Sequence, residues 1–159
     1  MLNLLDQRKI KENWETYKLQ LKATFEATEG GNVFTDGSSE NYLKGIYGRL
    51  MNPFSQYMHL WIDGEEDYLL LTHIQSCEFT ARKTLVLFAL TRTSDDIDKE
   101  TIAKRWIDAY PVIAKHAKEN ECVGIIGYTD LEYFIDILKK ISASVNQQII
   151  TRYQYYTPL

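Results

Sequence analysis

The sequence predicts a mixed α/β fold, in which helices pack on a single sheet of parallel and antiparallel strands. Three observations support this class. An apolar stripe at helical spacing runs over residues 3–28. Two β-rich runs flank a turn at Asp63-Gly64, as in an antiparallel hairpin. An apolar run at Leu85–Leu90 precedes a helical pattern and a further apolar run, as in a parallel crossover unit. We expect one domain over residues 1–159, with a helical part in 1–53 and the sheet with two packing helices in 56–159.

The N-terminal part predicts two amphipathic helices. Over roughly residues 3–28, apolar side chains recur every three or four positions and share one helical face: Ile10, Trp14, Tyr17, Leu21 and Phe25. Gly30-Gly31 ends this helix. Ser38 or Ser39 can cap a second helix, which Asn52-Pro53 terminates.

Three strands follow in the sequence. Gln56–Ile62 is rich in aromatic and aliphatic residues, and Asp63-Gly64 turns the chain into a long second strand over Tyr68–Phe79. The run Lys83–Leu90 is too apolar to alternate, which indicates a central strand covered on both faces.

The rest of the chain alternates helices with strands. A helix interrupted by Pro111 leads to a short buried strand at Cys122–Tyr128, and this helical connection predicts that the strand is parallel to Lys83–Leu90. Thr129–Glu132 is a capping box that begins another helix, and Gln147–Tyr156 is a last strand. The predicted order is therefore α-α-β-β-β-α-β-α-β.

Composition argues against several classes of function. The net charge is −4 and the pI is near 5.4, so the chain has no global positive field for nucleic acid or anionic membranes. No apolar run is long enough to span a membrane. Cys77 and Cys122 make no CxxC pair, and no His or Cys pair has zinc-ligand spacing, so we expect no metal.

This order of elements resembles the GNAT superfamily of N-acetyltransferases. The likeness extends over the helical N-terminal half, the hairpin QYMHLWIDGEEDYLLLTHI, the central strand TLVLFALTR with its crossover helix, and the segments CVGIIGYT, DLEYFIDILKKI and QQIITRYQYY. The chain is most similar in style to the small, divergent GNAT-like proteins encoded in bacteriophage genomes. The resemblance implies the fold of an enzyme that uses acetyl-CoA.

The sequence departs from that family at the turn after the central strand. GNAT members place a basic, glycine-rich turn there, and its backbone N–H groups hold the pyrophosphate of acetyl-CoA. This chain has Arg92-Thr93-Ser94-Asp95-Asp96-Ile97-Asp98, with three carboxylates and no glycine. The carboxylates repel a phosphate and cap the following helix themselves. We therefore expect no cofactor, and Arg92 is the cofactor-binding candidate if acetyl-CoA does bind.

The resemblance also supplies catalytic candidates. GNAT members often use a tyrosine in the penultimate helix as the general acid for the leaving thiolate, and Tyr133 or Tyr128 lies near that point. A phenol with an ordinary pKa of about 10 can donate this proton. Glu78, or another strand carboxylate, is the candidate base. The competing interpretation makes these tyrosines ordinary amphipathic residues at the edge of a helix or strand.

Aromatic residues on the outer strands favour a different role. Tyr and Trp are frequent at protein–protein contacts, and several lie on strands that we expect at sheet edges: Tyr57, Trp61, Tyr153, Tyr155 and Tyr156. We therefore predict a diverged, non-catalytic GNAT-fold protein that binds protein partners as a bacteriophage particle or assembly component, located in the host cytoplasm or the virion. The alternatives are an active N-acetyltransferase with atypical acetyl-CoA contacts, and a phage accessory protein that binds a host protein.

Overall fold

The computed structural model describes residues 1–28, 38–54, 57–66, 68–92, 98–127, 136, 137, 139 and 140. Its elements are β1 (Leu2–Leu4), α1 (Gln7–Thr28), α2 (Ser38–Leu50), β2 (Met58–Asp63), β3 (Tyr68–Ser76), β4 (Lys83–Arg92), α3 (Lys99–Glu119) and β5 (Cys122–Gly127). Residues 136, 137, 139 and 140 are also helical. Within these ranges, no helix combines the length and apolar character needed to cross a membrane.

The described strands form one mixed sheet in the order β1-β2-β3-β4-β5. Strands β1 to β4 pair in antiparallel fashion, whereas β4 and β5 are parallel. Helix α3 connects β4 to β5, which is the kind of crossover that a parallel pair requires. The prediction of a mixed sheet with a central strand near Lys83–Leu90 is confirmed, because β4 has a hydrogen-bonded neighbour on each side.

The start of the chain differs from the predicted helix over residues 3–28. Leu2–Leu4 is a strand that pairs with β2, with Leu2 opposite Asp63. Asp6 then caps α1, because its Oδ1 accepts a hydrogen bond of 2.8 Å from the backbone N of Lys9. The capping carboxylate marks the true beginning of the helix, and the residues before it belong to the sheet.

Side chains on the two faces of the sheet build two separate cores. Helices α1 and α2 cover one face, where Leu69 and Leu71 of β3 are buried. Helix α3 covers the other face, where Leu70 and Ile74 of β3 are buried together with Ile137. Because both faces are covered, the successive residues Leu69, Leu70 and Leu71 are all apolar and buried.

Helix α3 begins at an acidic cap. Asp98 accepts hydrogen bonds from the backbone N of Thr101 at 2.8 Å and from Thr101 Oγ1 at 2.7 Å. The helix continues through Pro111, which costs one backbone hydrogen bond without ending it. The capping role predicted for the acidic turn is confirmed at Asp98, whereas residues 93–97, the capping box Thr129–Glu132 and the last predicted strand lie outside the described residues.

A buried carboxylate ties the sheet to α3 and to the start of the chain. Asp63, at the end of β2, accepts a hydrogen bond of 2.9 Å from Arg105 Nη1 of α3. The amino group of Met1 lies 3.8 Å from the other carboxylate oxygen. Gly64 begins the following turn and donates its backbone N–H to the carbonyl oxygen of Met1 at 2.9 Å. A Cβ at Gly64 would lie 3.2 Å from that same oxygen, so this turn favours glycine.

Candidate functional site

Strand β4 contains a β-bulge at Phe88. Leu71 of β3 lies opposite Ala89, but the next residue, Thr72, lies opposite Leu87, so Phe88 has no partner of its own. The Phe88 ring lies 5.9 Å from the ring of Phe25, on the α1 and α2 face, measured between centroids. Ala89 is buried in the core of that same face. Two successive side chains therefore point to one side, which is the mark of a bulge.

The described pairing between β4 and β5 reaches this bulge. Its last described pair is Leu87 opposite Gly127, whereas β4 itself continues to Arg92. Within the described residues, the backbone groups of β4 that face β5 after Leu87 have no strand partner. Bulges bend a strand and increase its local twist. We call the stretch of β4 from Leu87 to Arg92, beside the end of the described part of β5, the β4 cleft.

Side chains at the β4 cleft are apolar on both faces of the sheet. On the α1 and α2 face, Tyr42 stacks against Phe88 at 6.2 Å between ring centroids and meets Phe25 edge-on at 5.1 Å. On the α3 face, Leu87 and Leu90 pack against the core. Gly127 lies where the cleft begins, and a Cβ there would approach Leu87 Cδ1 to 3.3 Å.

The polar end of the cleft lies where β4 leads to α3. Arg92 is the last residue of β4, and Asp98 is the N-cap of α3. Hydrogen bonds from the Thr101 side chain, and then from its backbone N–H, lower the pKa of Asp98. A carboxylate that stays ionised at this position already satisfies one N–H of the helix terminus, so an anionic ligand meets competition there.

The candidate residues from the sequence do not converge on one point. Arg92 pairs with Tyr68 at one end of the β3–β4 hairpin, and Ser76 pairs with Lys83 at the other end. Glu78 lies in the exposed turn beyond Ser76. At about 3.3 Å per strand residue, roughly 30 Å separates the two ends of β4. Tyr128 and Tyr133 lie outside the described residues.

The aromatic residues predicted at sheet edges have different environments. Trp61 is 3% exposed and lies on β2, between β1 and β3, so its predicted edge position is wrong. Its indole Nε1 donates a hydrogen bond of 2.9 Å to Thr72 Oγ1. The short strand β1, which the sequence pattern does not separate from the helix, covers the side of β2 that we expected to be open. Tyr57 is half exposed, and Tyr153, Tyr155 and Tyr156 lie outside the described residues.

A pair of histidines lies between β2 and α3, apart from the cleft. The rings of His59 and His116 are 4.5 Å apart between centroids, and Trp61 contacts His116 edge-on at 4.9 Å. Burial, and then the charges of His116 and His73, lower the pKa of His59 to about 4. Burial also lowers the pKa of His116. Among the described residues, no group of three or more His, Cys, Asp or Glu side chains could hold a metal ion.

No protein-family model matches the sequence, and no curated protein matches it either. Solved structures do match. A "probable acetyltransferase" aligns with a TM-score of 0.61 at 10% identity, over 100% of this chain and 97% of that one. The ribosomal-protein-alanine N-acetyltransferase of Brucella melitensis biovar Abortus 2308 aligns at 0.54 and 14%, over 100% and 99%. AAC(6')-Iy, solved with the bisubstrate analogue CoA-S-monomethyl-acetylneamine, aligns at 0.56 and 13%, over 100% and 97%. The chain has a GNAT-like fold.

The GNAT-like fold confirms the resemblance that the order of elements suggested. The function that we predicted from it, a non-catalytic bacteriophage particle or assembly component, is wrong. The three matching structures carry acetyltransferase names, and none of the three is named as a phage or virion protein. At these identities the likeness establishes the fold, and it favours the alternative of an N-acetyltransferase over the predicted particle protein.

The bulge in this GNAT-like fold could not be found from the sequence. Val86 to Leu90 are all apolar, because both faces of β4 are covered. A bulge residue can be recognised in a sequence only when it interrupts an alternation of polar and apolar residues. A uniformly apolar strand has no such alternation, so only the register with β3 reveals Phe88 as the inserted residue.

Proposed function

We propose that the protein is an N-acetyltransferase that transfers the acetyl group of acetyl-CoA to an amine. The observation that supports this best is the bulge at Phe88, which lies next to the last described pair of β4 and β5, Leu87 and Gly127. Bulges are frequent next to active sites, where they end strand pairing and redirect the chain. The same fold occurs in proteins named as acetyltransferases, which makes the β4 cleft the candidate active site.

The backbone of β4 suits the amide-containing arm of CoA. After Leu87, its groups that face β5 have no strand partner within the described residues. Backbone N–H and C=O groups away from water require hydrogen-bond partners. An extended ligand with amide groups can pair with such an edge as an added strand would. The absence of a side chain at Gly127 accommodates the Leu87 side chain at the start of the cleft.

When bound, acetyl-CoA supplies an acetyl group that is activated as a thioester. The role of the protein is to position the acetyl group and to restrict the access of water to it. The rings of Phe25, Tyr42 and Phe88 form a wall on one face of the cleft, and Leu87 and Leu90 cover the other face. Such a wall favours attack by a bound amine over hydrolysis by water.

The contacts with the pyrophosphate are atypical under this proposal. Arg92 is the cation of β4 at that end, and Asp98 accepts hydrogen bonds at the N-terminus of α3. The turn between them carries further carboxylates in sequence and no glycine. We therefore expect the arm lying along β4 to contribute more of the affinity than the pyrophosphate does.

Deletion of Phe88 tests the proposal. Without Phe88, Leu87 would face α3 and Ala89 would face α1 and α2, which restores a regular alternation along β4. Regular pairing would close the cleft while the core residues keep their sides. We expect calorimetry to show saturable acetyl-CoA binding by the parent protein and at least tenfold weaker binding by the deletion variant.

The matched control is Phe79→Ala, which removes an aromatic ring that is 95% exposed in the β3–β4 turn. This variant should bind acetyl-CoA as the parent does. A second variant, Gly127→Val, narrows the cleft without changing the length of β4, and circular dichroism verifies that all variants are folded. Release of free CoA thiol in the presence of a panel of amines then measures transfer. Absence of binding by the parent at millimolar acetyl-CoA, or equal binding by a folded deletion variant, would refute the proposal.

A further inference from the structure

A second recess lies at the other end of the β3–β4 hairpin from Arg92. It opens between the C-terminal end of α2 and the paired residues Met58 and His73 of β2 and β3. Its volume is about 430 Å³, which is enough for a small organic molecule. Its lining residues are Arg49, Asn52, Tyr57, Met58 and His73. We call it the Arg49 pocket.

The polar groups of the Arg49 pocket are mostly hydrogen-bond donors. Arg49 carries a guanidinium, Tyr57 a phenol and Asn52 an amide NH2 group, and the His73 imidazole has an N–H. No carboxylate is among the described lining residues. Within the described part of the chain, neither the Arg49 side chain nor the His73 ring has a hydrogen bond or an ion pair. A pocket of this composition attracts a negatively charged acceptor.

The backbone around the pocket is fixed by hydrogen bonds. The Tyr57 carbonyl oxygen accepts a hydrogen bond of 2.7 Å from Ile74 N, and Asn52 Oδ1 accepts one of 2.9 Å from Phe54 N. Because the Asn52 oxygen is already used, its NH2 group is the part left for a ligand. A favourable interaction with the α2 dipole accounts for a cation at Arg49. The dipole does not explain why Asn52, Tyr57 and His73 place further hydrogen-bond donors at the same pocket as Arg49.

We propose that the Arg49 pocket binds the oxyanion end of a small organic molecule, a carboxylate or a phosphate ester, with the Arg49 guanidinium and the His73 imidazole as its main contacts. A guanidinium presents a planar fork of N–H groups that suits both oxyanions. Met58, which is buried, supplies an apolar floor for the rest of the ligand. This proposal does not depend on acetyl transfer, because the pocket and the β4 cleft share no lining residue.

Anion binding in the Arg49 pocket is coupled to protonation of His73. Burial, and then the charge of Arg49, lower the pKa of His73. A bound anion neutralises the Arg49 charge and favours the imidazolium, so it raises this pKa. By linkage, the anion binds more tightly as the pH falls. Among the described residues, the other titratable groups near His73 are Tyr57 in the pocket and His59 on the opposite face of β2.

Histidine NMR of the intact protein tests the proposal, with acetate as the carboxylate probe and sulfate as the tetrahedral probe. Neither ion changes charge between pH 6 and pH 8, and chloride keeps the ionic strength constant. We expect at least one probe to shift the His73 ring signals in a saturable way and to bind about threefold more tightly at pH 6 than at pH 8. Saturation by acetate alone identifies a carboxylate site, and saturation by sulfate alone identifies a phosphate-ester site.

Three variants distinguish binding in the Arg49 pocket from general charge screening. Arg49→Gln should weaken the binding at least tenfold, whereas Arg82→Gln, at an exposed arginine of the β3–β4 turn, should not change it. His73→Asn keeps a donor, and calorimetry should show that its anion affinity no longer depends on pH. Equal responses of the two arginine variants, or His73 signals that no probe shifts, would overturn the proposal.

Discussion

The His59 side chain has an environment that disfavours its charged form. It lies against His116 and Trp61, and its Nδ1 is buried without a hydrogen-bond partner in the described structure. Two imidazoles at this distance cannot both be charged without repulsion, and burial removes the water that would solvate either charge. This residue therefore links the stability of the β2–α3 contact to pH.

We predict a pH-dependent loss of stability that His59 causes. Its pKa is about 4 in the folded protein against 6.5 for a free imidazole, so the unfolded chain binds the proton more tightly. The free energy of unfolding is then fully retained above pH 6.5 and falls as the pH decreases toward 4. We expect a loss of about 1–2 kcal/mol, because remaining exposure to water reduces the effect. Urea unfolding of the parent and of His59→Phe from pH 8 to pH 4 measures it, and identical pH profiles would contradict this assignment.

At the scale of elements, strand β1 shows how a few residues can complete a sheet. Leu2 is buried at 3% exposure in the core under α3, whereas Leu4 is 48% exposed. The strand has only three residues, and it pairs with β2 along its whole length. Its contribution to stability should therefore depend on one side chain and on backbone hydrogen bonds.

We predict that Leu2→Ala destabilises the protein by about 2–3 kcal/mol, because it removes buried methyl groups and leaves a cavity. Leu4→Ala, the matched control on the same strand, should change the free energy of unfolding by less than about 0.5 kcal/mol. Chemical denaturation of both variants makes the comparison. A similar effect at the two positions would mean that β1 does not pack on the core as described.

The turn after β4 gives a prediction about cofactor affinity. Asp95 and Asp96 follow β4 in the sequence and, being carboxylates, repel the pyrophosphate of acetyl-CoA. We expect Asp95→Asn with Asp96→Asn to raise the affinity for acetyl-CoA about three- to tenfold at low salt, and less at high salt. Asp108→Asn with Glu119→Gln, at two exposed positions of α3, is the control for the change in net charge. Equal gains in the two double variants would mean that only the overall charge matters.

At the scale of the whole molecule, the sequence predicts the layers better than the site. The apolar run of β4 predicts a strand covered on both faces, and the helix between β4 and β5 predicts their parallel pairing. These features depend on periodicity and on chain connectivity, which the sequence contains directly. The bulge at Phe88, the strand β1 and the Arg49 pocket depend on register and on contacts between distant segments. Residues 49 and 73 are ordinary surface and strand positions until the fold places them side by side.

If the β4 cleft is open as we propose, the amides of β4 can report whether a ligand occupies it. Amide hydrogens that face β5 before Leu87 are held in strand hydrogen bonds, while those after it have no strand acceptor among the described residues. With an open cleft and no ligand, the second group should exchange with deuterium much faster than the first in heavy water. A ligand pairing with the edge would slow exchange there alone, amide by amide. The resulting pattern would map how far along β4 the ligand lies, before any acceptor amine has been identified.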